Sequence, residues 1–438
     1  MIVQSVPGPL SLHDVMARAA AQRLPCTFRL VEEAAVGGMV VACNPVRVVR
    51  GDSLDALAAA WTEERAAWGN PSRGGQPIGV GWLSYDLGYR FERIRGQRLD
   101  PSPWPQIEFR FYDAFLAFSG AGRESMIWAR SGESARRLMA VLLSSERDEA
   151  PEPGLSVMER GRLGELEAPR AHLDAVARAL EYIRAGDIYQ VNLARRLGCA
   201  CPSRTGQAPA GALFLRLESV APAPYAFWMG DADEGTALVG NSPERFLRLS
   251  PDGVVETSPI KGTRRRDPGR GNGRDADLLL ASDKDRAEHV MIVDLERNDL
   301  GRVCRTGSVE VAELCRVLEL PTVCHLESTI RGHLRAGTEL AGLLRATFPG
   351  GSITGAPKIR AMEIIEEIEP ARRGPYTGAT GWLGAAGDLD LAVAIRTALV
   401  REGRLTLWVG GGIVADSTPQ TELAETWDKA RAFSHALG

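Results

Sequence analysis

Glu244 and Lys261 are of types that could act together on one substrate, and the stretch joining them is suited to bring them close. Asn241-Ser-Pro-Glu-Arg-Phe246 through Pro259-Ile-Lys-Gly-Thr263 reads as a hairpin. Phe246-Leu-Arg-Leu249 alternates apolar and polar residues, Pro251-Asp-Gly253 is a turn, and Val254-Val-Glu-Thr257 runs back. Both residues then sit near one end of the hairpin. A lysine in a partly dry pocket loses its preference for the charged form and becomes a nucleophile or base at neutral pH. A glutamate in the same pocket is easier to keep protonated, which suits a general acid. Gly262 lets the backbone approach a ligand closely. A surface hairpin with a solvated lysine would read the same way.

Two further segments carry paired acids. Asp285 and Glu288 lie at i and i+3 on one helical face, and Glu422 and Glu425 repeat the spacing, with Lys429 one turn on. Two such helices could share a hard cation. Magnesium takes one or two protein carboxylates and leaves its other positions to water and substrate. Solvent-facing pairs are the alternative. Phe348-Pro-Gly-Gly-Ser-Ile-Thr-Gly-Ala-Pro-Lys358 runs into a helix whose first N–H groups could bind an anion, and Gly410-Gly-Gly412, just after a strand, could form a second cradle. Either could instead be turn geometry. The chain has no GxxxxGK[ST], so nucleotide binding is not expected. Arg396 is a charge on an otherwise apolar strand, suited to bidentate capture of a carboxylate or simply placed at a strand edge.

These groups need a frame. Residues 1 to about 120 read as strands with a few helices, among them one after the Ser53 cap. A charged segment with Pro151, Pro153 and Gly154 is the candidate linker, dividing the chain into 1–150, a linker at 151–170, and 171–438. Helices are expected at His172 to Ala185, Ala210 to Ser219, Asp283 to Asp299, Thr338 to Thr347, Ile359 to Glu369 and Thr421 to Leu437. Strands are expected at Tyr189 to Arg196, Tyr225 to Met229, Thr236 to Gly240, Ala379 to Gly384, Leu389 to Val400 and Leu405 to Val409. Strands in runs favour an α+β fold over regular βαβ winding.

The 438 residues suffice for a sizeable core, and a charged fraction of 25% with 44% hydrophobic residues is that of a globular protein. A net charge of -4 gives no reason to expect nucleic acid or an anionic membrane as partner. The seven cysteines form no CxxC pair, and no leader pattern or membrane-length apolar run is present. A soluble, cytoplasmic protein is the expectation.

From about His172 onward, the order of motifs resembles the chorismate-utilising enzymes: the large components of anthranilate and aminodeoxychorismate synthase, and the isochorismate and salicylate synthases. The matching stretches begin with Gly186-Asp-Ile-Tyr-Gln-Val-Asn-Leu193, Ser242-Pro-Glu-Arg-Phe246, Pro259-Ile-Lys-Gly-Thr263 and Glu288-His-Val-Met-Ile-Val-Asp-Leu-Glu-Arg-Asn-Asp299. They continue with His325-Leu-Glu-Ser-Thr329, Gly350 to Lys358, Ile395-Arg-Thr397, Gly410 to Ser417 and Glu425-Thr-Trp-Asp-Lys429. The resemblance implies large antiparallel sheets forming a β-rich core flanked by helices.

Within that family, Pro-Ile-Lys-Gly-Thr looks like the aminodeoxychorismate-forming branch, where anthranilate synthases carry alanine at the lysine position. The resemblance implies that Lys261 attacks C2 of chorismate while the C4 hydroxyl leaves with a proton from Glu244. Ammonia then adds at C4 and expels the lysine, for 4-aminobenzoate and folate synthesis. Gln190 stands where water-adding members carry a lysine. The resemblance assigns Mg2+ to Glu288 and Glu425, supported by Asp285 and Glu422. It assigns chorismate to Gly262, Thr263, Tyr376, Arg396, Gly410, Gly411, Gly412 and Lys429, with His325 as a further catalytic-site residue. No GxCxG nucleophile elbow is present, so a separate glutamine amidotransferase subunit is expected to supply ammonia. The rivals are anthranilate synthesis and an inactive scaffolding homologue. Two departures from relatives stand out: Val31-Glu-Glu33, in a region that lines a tryptophan pocket in relatives, and Glu327, where relatives tend to be apolar.

Overall fold

The computed structural model describes all residues except 7–9, 33–34, 72–73, 93, 95–101, 119–124, 144–161, 202–206, 266–273 and 320–322. Its strands form two antiparallel sheets, with twelve and ten strands among the described residues. Period-two alternation explains how the sheets pack. In the Ala35–Ala42 strand, Val40 and Ala42 face a core shared by the two sheets, while Met39 and Val41 face a second core. That second core lies under helices on the outer side of the larger sheet, where Phe214 and Phe433 pack. This is the helix-flanked β core expected of an α+β chain.

The chain does not build its sheets one region at a time. Cys26–Glu32 pairs with Tyr225–Asp231, and Pro77–Leu83 pairs with Ala379–Gly384. The charged stretch near residue 150 therefore divides the sequence but not the sheets, and most of that stretch lies outside the described residues.

The hairpin expected around Pro251 is present as Arg245–Leu249 and Val254–Ser258. The acid-bearing helices are Asp283–Gly301, where the Ser282 hydroxyl accepts the Asp285 N–H, and Pro419–Leu437, capped by Thr418 with proline in the first turn. Two expectations need correction. Leu389 to Val400 is not one strand but Leu389–Val393 in the smaller sheet and Thr397–Arg401 in the larger. The run Leu405 to Val409 is longer than expected, extending as Arg404–Ile413, so Gly410, Gly411 and Gly412 lie inside a strand rather than after one. A long pair of strands, Glu310–Glu319 and Val323–His333, had no counterpart in the sequence reading. It explains one departure: Glu327 faces Arg316 directly across that pair and forms an ion pair with it. Among the described residues no helix is long and apolar enough to cross a membrane, and no disulfide joins the seven cysteines. A cavity of about 30 Å³ between the sheets is lined by Phe28, Arg29, Val31 and Tyr225, and of the other departure Glu33 lies outside the described residues.

Candidate active site

The site forms where the chain crosses between sheets. Glu244 lies between Thr236–Ser242 of the larger sheet and Arg245–Leu249 of the smaller, and Arg396 lies at the return crossing. The two crossings are tied together: the Val393 N–H donates to the Glu244 carbonyl (3.0 Å) and the Asn241 N–H to the Arg396 carbonyl (2.9 Å). Arg396 makes its corner with φ +49°, a left-handed conformation that costs a non-glycine residue on the order of 1–2 kcal/mol. A guanidinium held at a strained corner, not on a strand edge, fits a positional demand on that side chain.

Lys261 is the second residue of the strand that follows the hairpin in sequence, Ile260–Arg265, which pairs with Val323–His333 and bulges at Gly262 (φ +64°). The bulge lets Thr263 and His325 meet at 3.1 Å. His325 Nε2 lies 3.2 Å from an Arg396 guanidinium nitrogen, which can only donate, so Nε2 is the acceptor and Nδ1 carries the hydrogen, directed at the Gly262 carbonyl at 3.2 Å. Burial, and then the Arg396 charge, lower the His325 pKa to about 3. His325 is therefore a neutral link that holds Arg396 to the Gly262 turn.

Burial also sets the two reactive groups. Glu244 is 3% exposed, and desolvation raises its pKa to about 7 against the opposing pull of Ser352, Lys261 and Arg396. Desolvation lowers that of Lys261, with Glu288 the leading opposing charge and Lys429 adding to the lowering. A proton-bearing acid and a lysine tilted towards the free amine thus share one pocket, the pairing that nucleophilic displacement with a departing hydroxyl requires.

The facing wall is the glycine run. A Cβ on Gly412 would lie 3.2 Å from Lys261 Nζ, 2.5 Å from Gln190 Nε2 and 3.3 Å from Asn192 Oδ1. One on Gly411 would lie 3.3 to 3.5 Å from the tips of Glu422, Lys429 and Glu425. Gly410 differs: a Cβ there would strike the Leu193 carbonyl at 2.2 Å, while its own carbonyl accepts from Lys429 Nζ at 2.7 Å. Hence Gly412→Ala should leave the fold intact and raise KM at least about tenfold by crowding Lys261 and displacing the Gln190 amide. Gly410→Ala should lower Tm instead, because it breaks the pairing with the Gln190–Ala200 strand. Thermal melts beside steady-state kinetics separate the two outcomes.

The acids expected to act together are gathered here. Asp285 lies 3.3 Å from the Gly262 Cβ position, Glu288 acts on Lys261, and Glu425 pairs with Lys429 at 2.7 Å. Among the described residues no three His, Cys, Asp or Glu side chains form a metal cage by themselves. The loop from Phe348 is tied into the fold on both sides. Gly355–Ala356 pairs with Gln190–Val191, and Lys358 turns inward onto Asp299 (2.5 Å) and the Pro349 carbonyl (2.9 Å). Tyr376 is buried in a stack on Trp408, with ring centroids 5.6 Å apart. The sequence reading noted Gln190 only as standing in place of a lysine of water-adding members, and it did not assign Asn192 or Ser352 to the site. Gln190 and Asn192 alternate on one strand, a period-two signal that could have marked them. Both ends of the fully buried Gln190 amide, together with Glu244 Oε1 and Ser352 Oγ, lack a protein partner, as expected of a pocket built for a polar ligand.

The model of the chorismate binding enzyme family matches residues 27–435. The chain belongs to that family. Relatives carry two names at similar identity. Anthranilate synthase component 1 of Thermus thermophilus is 40% identical over 82% of this chain and 77% of its own length. Aminodeoxychorismate synthase component 1 of Escherichia coli is 39% identical over 84% and 78%. Among solved structures, anthranilate synthase component I from Streptococcus pneumoniae superposes with TM-score 0.77 at 29% identity, covering 92% of this chain and 93% of that one. The menaquinone-specific isochorismate synthase of Escherichia coli, at 21% identity and TM-score 0.76, shares the fold. Chorismate is a dicarboxylate, and Arg396 and Lys429 both act on His325, two cations of the sign such a substrate calls for.

Proposed function

We propose that the protein is the aminating component of an aminodeoxychorismate synthase, converting chorismate and ammonia to 4-amino-4-deoxychorismate. The observation that carries the reading is Lys261, a lysine shifted towards its neutral form by burial, together with the buried Glu244, whose pKa is raised to about 7. Its amine forms a bond to C2 of chorismate as the C4–O bond breaks, and Glu244 supplies the proton with which that hydroxyl departs as water. Ammonia then bonds to C4, the C2–N bond breaks, and lysine leaves as the free amine. Arg396, positioned by His325, and Lys429 pair with the substrate carboxylates. Gln190 and Asn192, both amides, offer hydrogen bonds without removing a proton from water, which disfavours hydroxylation.

Glu288 and Glu425, with Asp285 and Glu422 in support, offer the hard oxygen donors that magnesium takes; Glu288 and Glu425 both act on Lys261, and because no three acids among the described residues form a cage, water and substrate would fill the remaining positions. Bound there, magnesium would offset substrate carboxylate charge. Glu422→Gln should raise the magnesium concentration for half-maximal rate about ten- to a hundredfold, and Glu425→Gln should raise it further. A magnesium titration of initial rate checks both, and unchanged half-points would remove these residues from the metal site.

Ammonia would come from a glutamine amidotransferase subunit, in a pathway leading to 4-aminobenzoate. The second reading, anthranilate synthesis, is favoured by relatives of that name at equal identity. Product analysis decides. With chorismate, magnesium and ammonium, the enzyme should form a compound that an aminodeoxychorismate lyase converts to 4-aminobenzoate, whereas anthranilate appearing without the lyase would select the second reading.

A further inference from the structure

Behind Glu244 lies a second buried acid that the chemistry above does not use. Glu296, on Asp283–Gly301, is 6% exposed and accepts a hydrogen bond from the Thr257 hydroxyl at 2.7 Å. The turn Gly351–Ile353 is packed on it, since a Cβ on Gly351 would lie 3.4 Å from Glu296 Cγ. The next residue of that turn, Ser352, is a neighbour of Glu244, although no hydrogen bond of good geometry joins the two. Ser352 Oγ and Glu244 Oε1 are both buried without a protein partner. A cavity of about 10 Å³, at the lower limit for one water, opens beside Glu296 and is lined also by Phe246, Thr257, Asp299 and Gly350. The charged groups facing Glu296 are Glu244 across the turn, Asp299 on its own helix and Lys358 from Lys358–Ile368. Asp299 and Lys358 are paired with each other, which leaves Glu244 and Glu296 as two carboxyls in one dry region. Two such carboxyls do not both ionise readily. Desolvation first, and then the nearness of Glu244 and Asp299, raise the pKa of Glu296 to about 8.

We propose that Glu296 is the proton reserve of the general acid, a positioning residue that returns a proton to Glu244 through the Ser352-bearing turn. The inference rests on Glu244 acting as the acid, and not on which amine product forms. When the C4–O bond breaks, the Glu244 proton leaves with the hydroxyl as water and a carboxylate remains in a site almost closed to solvent. Glu296 gives its proton to a water in the adjoining cavity, which hands one on past the Ser352-bearing turn to that carboxylate, and Glu296 takes another from solvent. The pair carries one negative charge at a time, so no step leaves two buried carboxylates side by side.

Glu296→Gln separates this role from packing, because glutamine keeps the shape and can still accept from Thr257 but has no acidic proton. It should lower kcat about tenfold or more, leave KM for chorismate unchanged and keep Tm at least at the wild-type value, and Glu296→Asp should recover part of the rate. Wild-type kcat in a folded Glu296→Gln enzyme overturns the proposal. Should that variant fold poorly, Thr257→Val removes only the hydroxyl that orients the acid. A lowered kcat at constant KM then supports the relay, and an unchanged kcat overturns it. Glu244→Gln, measured alongside, isolates the premise: if it turns over normally, the assignment of the acid has failed, whereas a dead Glu244→Gln beside a fully active Glu296→Gln refutes only the relay.

Discussion

Lys261→Ala should remove the product that a lyase converts to 4-aminobenzoate, cutting its formation about a thousandfold or more, the scale on which loss of a covalent nucleophile is felt. The fold should survive, because the main chain of Ile260–Arg265 is held by its pairing with Val323–His333 whatever the side chain at 261. Three carboxylates, on Glu288, Glu244 and Glu425, favour the ammonium form of Lys261, while burial and the Lys429 charge oppose it, and burial is the largest influence. Burial therefore shifts Lys261 towards the free amine that a nucleophile needs, a shift an exposed lysine would not show. Lys261→Arg tests the same point from the other side: a guanidinium keeps the positive charge but cannot lose its proton to become a nucleophile, so it should be as slow as alanine. Intact protein mass adds an independent reading. Wild-type enzyme quenched with chorismate in the absence of ammonia should gain the mass of one chorismate less one water, and Lys261→Ala should gain nothing. An alanine variant that still makes the lyase-sensitive product at the wild-type rate would overturn the covalent route. Residual turnover that shifts to anthranilate would show that ammonia attacks C2 directly once the internal nucleophile is gone.

The parts of this site that were legible in the sequence are those set by short-range physics. The hairpin between Glu244 and Lys261 shows in the alternation of Phe246 to Leu249 before a Pro-Asp-Gly turn, and the acid pairs show in i, i+3 spacing after the Ser282 cap. What stayed hidden depends on which strands become neighbours. Cys26–Glu32 beside Tyr225–Asp231 is a pairing across some two hundred positions, and no local preference encodes it. Leu389 to Val400 is apolar apart from Asp390, Arg396 and Thr397 and holds no glycine or proline, so the crossing between sheets at Arg396 carries no turn signal. Its left-handed corner is imposed by the tie to Asn241. The glycines at 410 to 412 look like a turn because glycine usually marks one. Here each lacks a side chain for a separate reason: backbone contact at Gly410, the acidic cluster at Gly411, and Gln190 with Lys261 at Gly412. Glu296 was hidden as well, being one acid among several on a charged helix until its burial is known.

Glu244→Gln should be both slower and more stable than the wild type, and the two effects have one cause. Glutamine cannot protonate the departing hydroxyl, so kcat should fall by about two to four orders of magnitude, the usual contribution of a positioned general acid. The stability effect follows from the raised pKa. The folded-state value near 7 lies above the ordinary 4.5, so the carboxyl favours the folded state when protonated. That contribution is fully present below the unfolded pKa and is lost as pH rises through about 7. At pH 8 the wild type holds a carboxylate in a place that desolvates it. Removing the charge with an isosteric amide should raise unfolding free energy there by about 3 kcal/mol, and by little at pH 4, where both side chains are neutral. Denaturant melts at the two pH values measure the difference. The same ionisation predicts that kcat at saturating ammonia declines as pH rises through about 7, with no such limb in the residual activity of the glutamine variant. A Glu244→Gln enzyme that is slow but no more stable at pH 8 would mean that the carboxyl is already ionised and paired in the folded protein. Its part in the reaction would then be to stabilise charge rather than to deliver the proton.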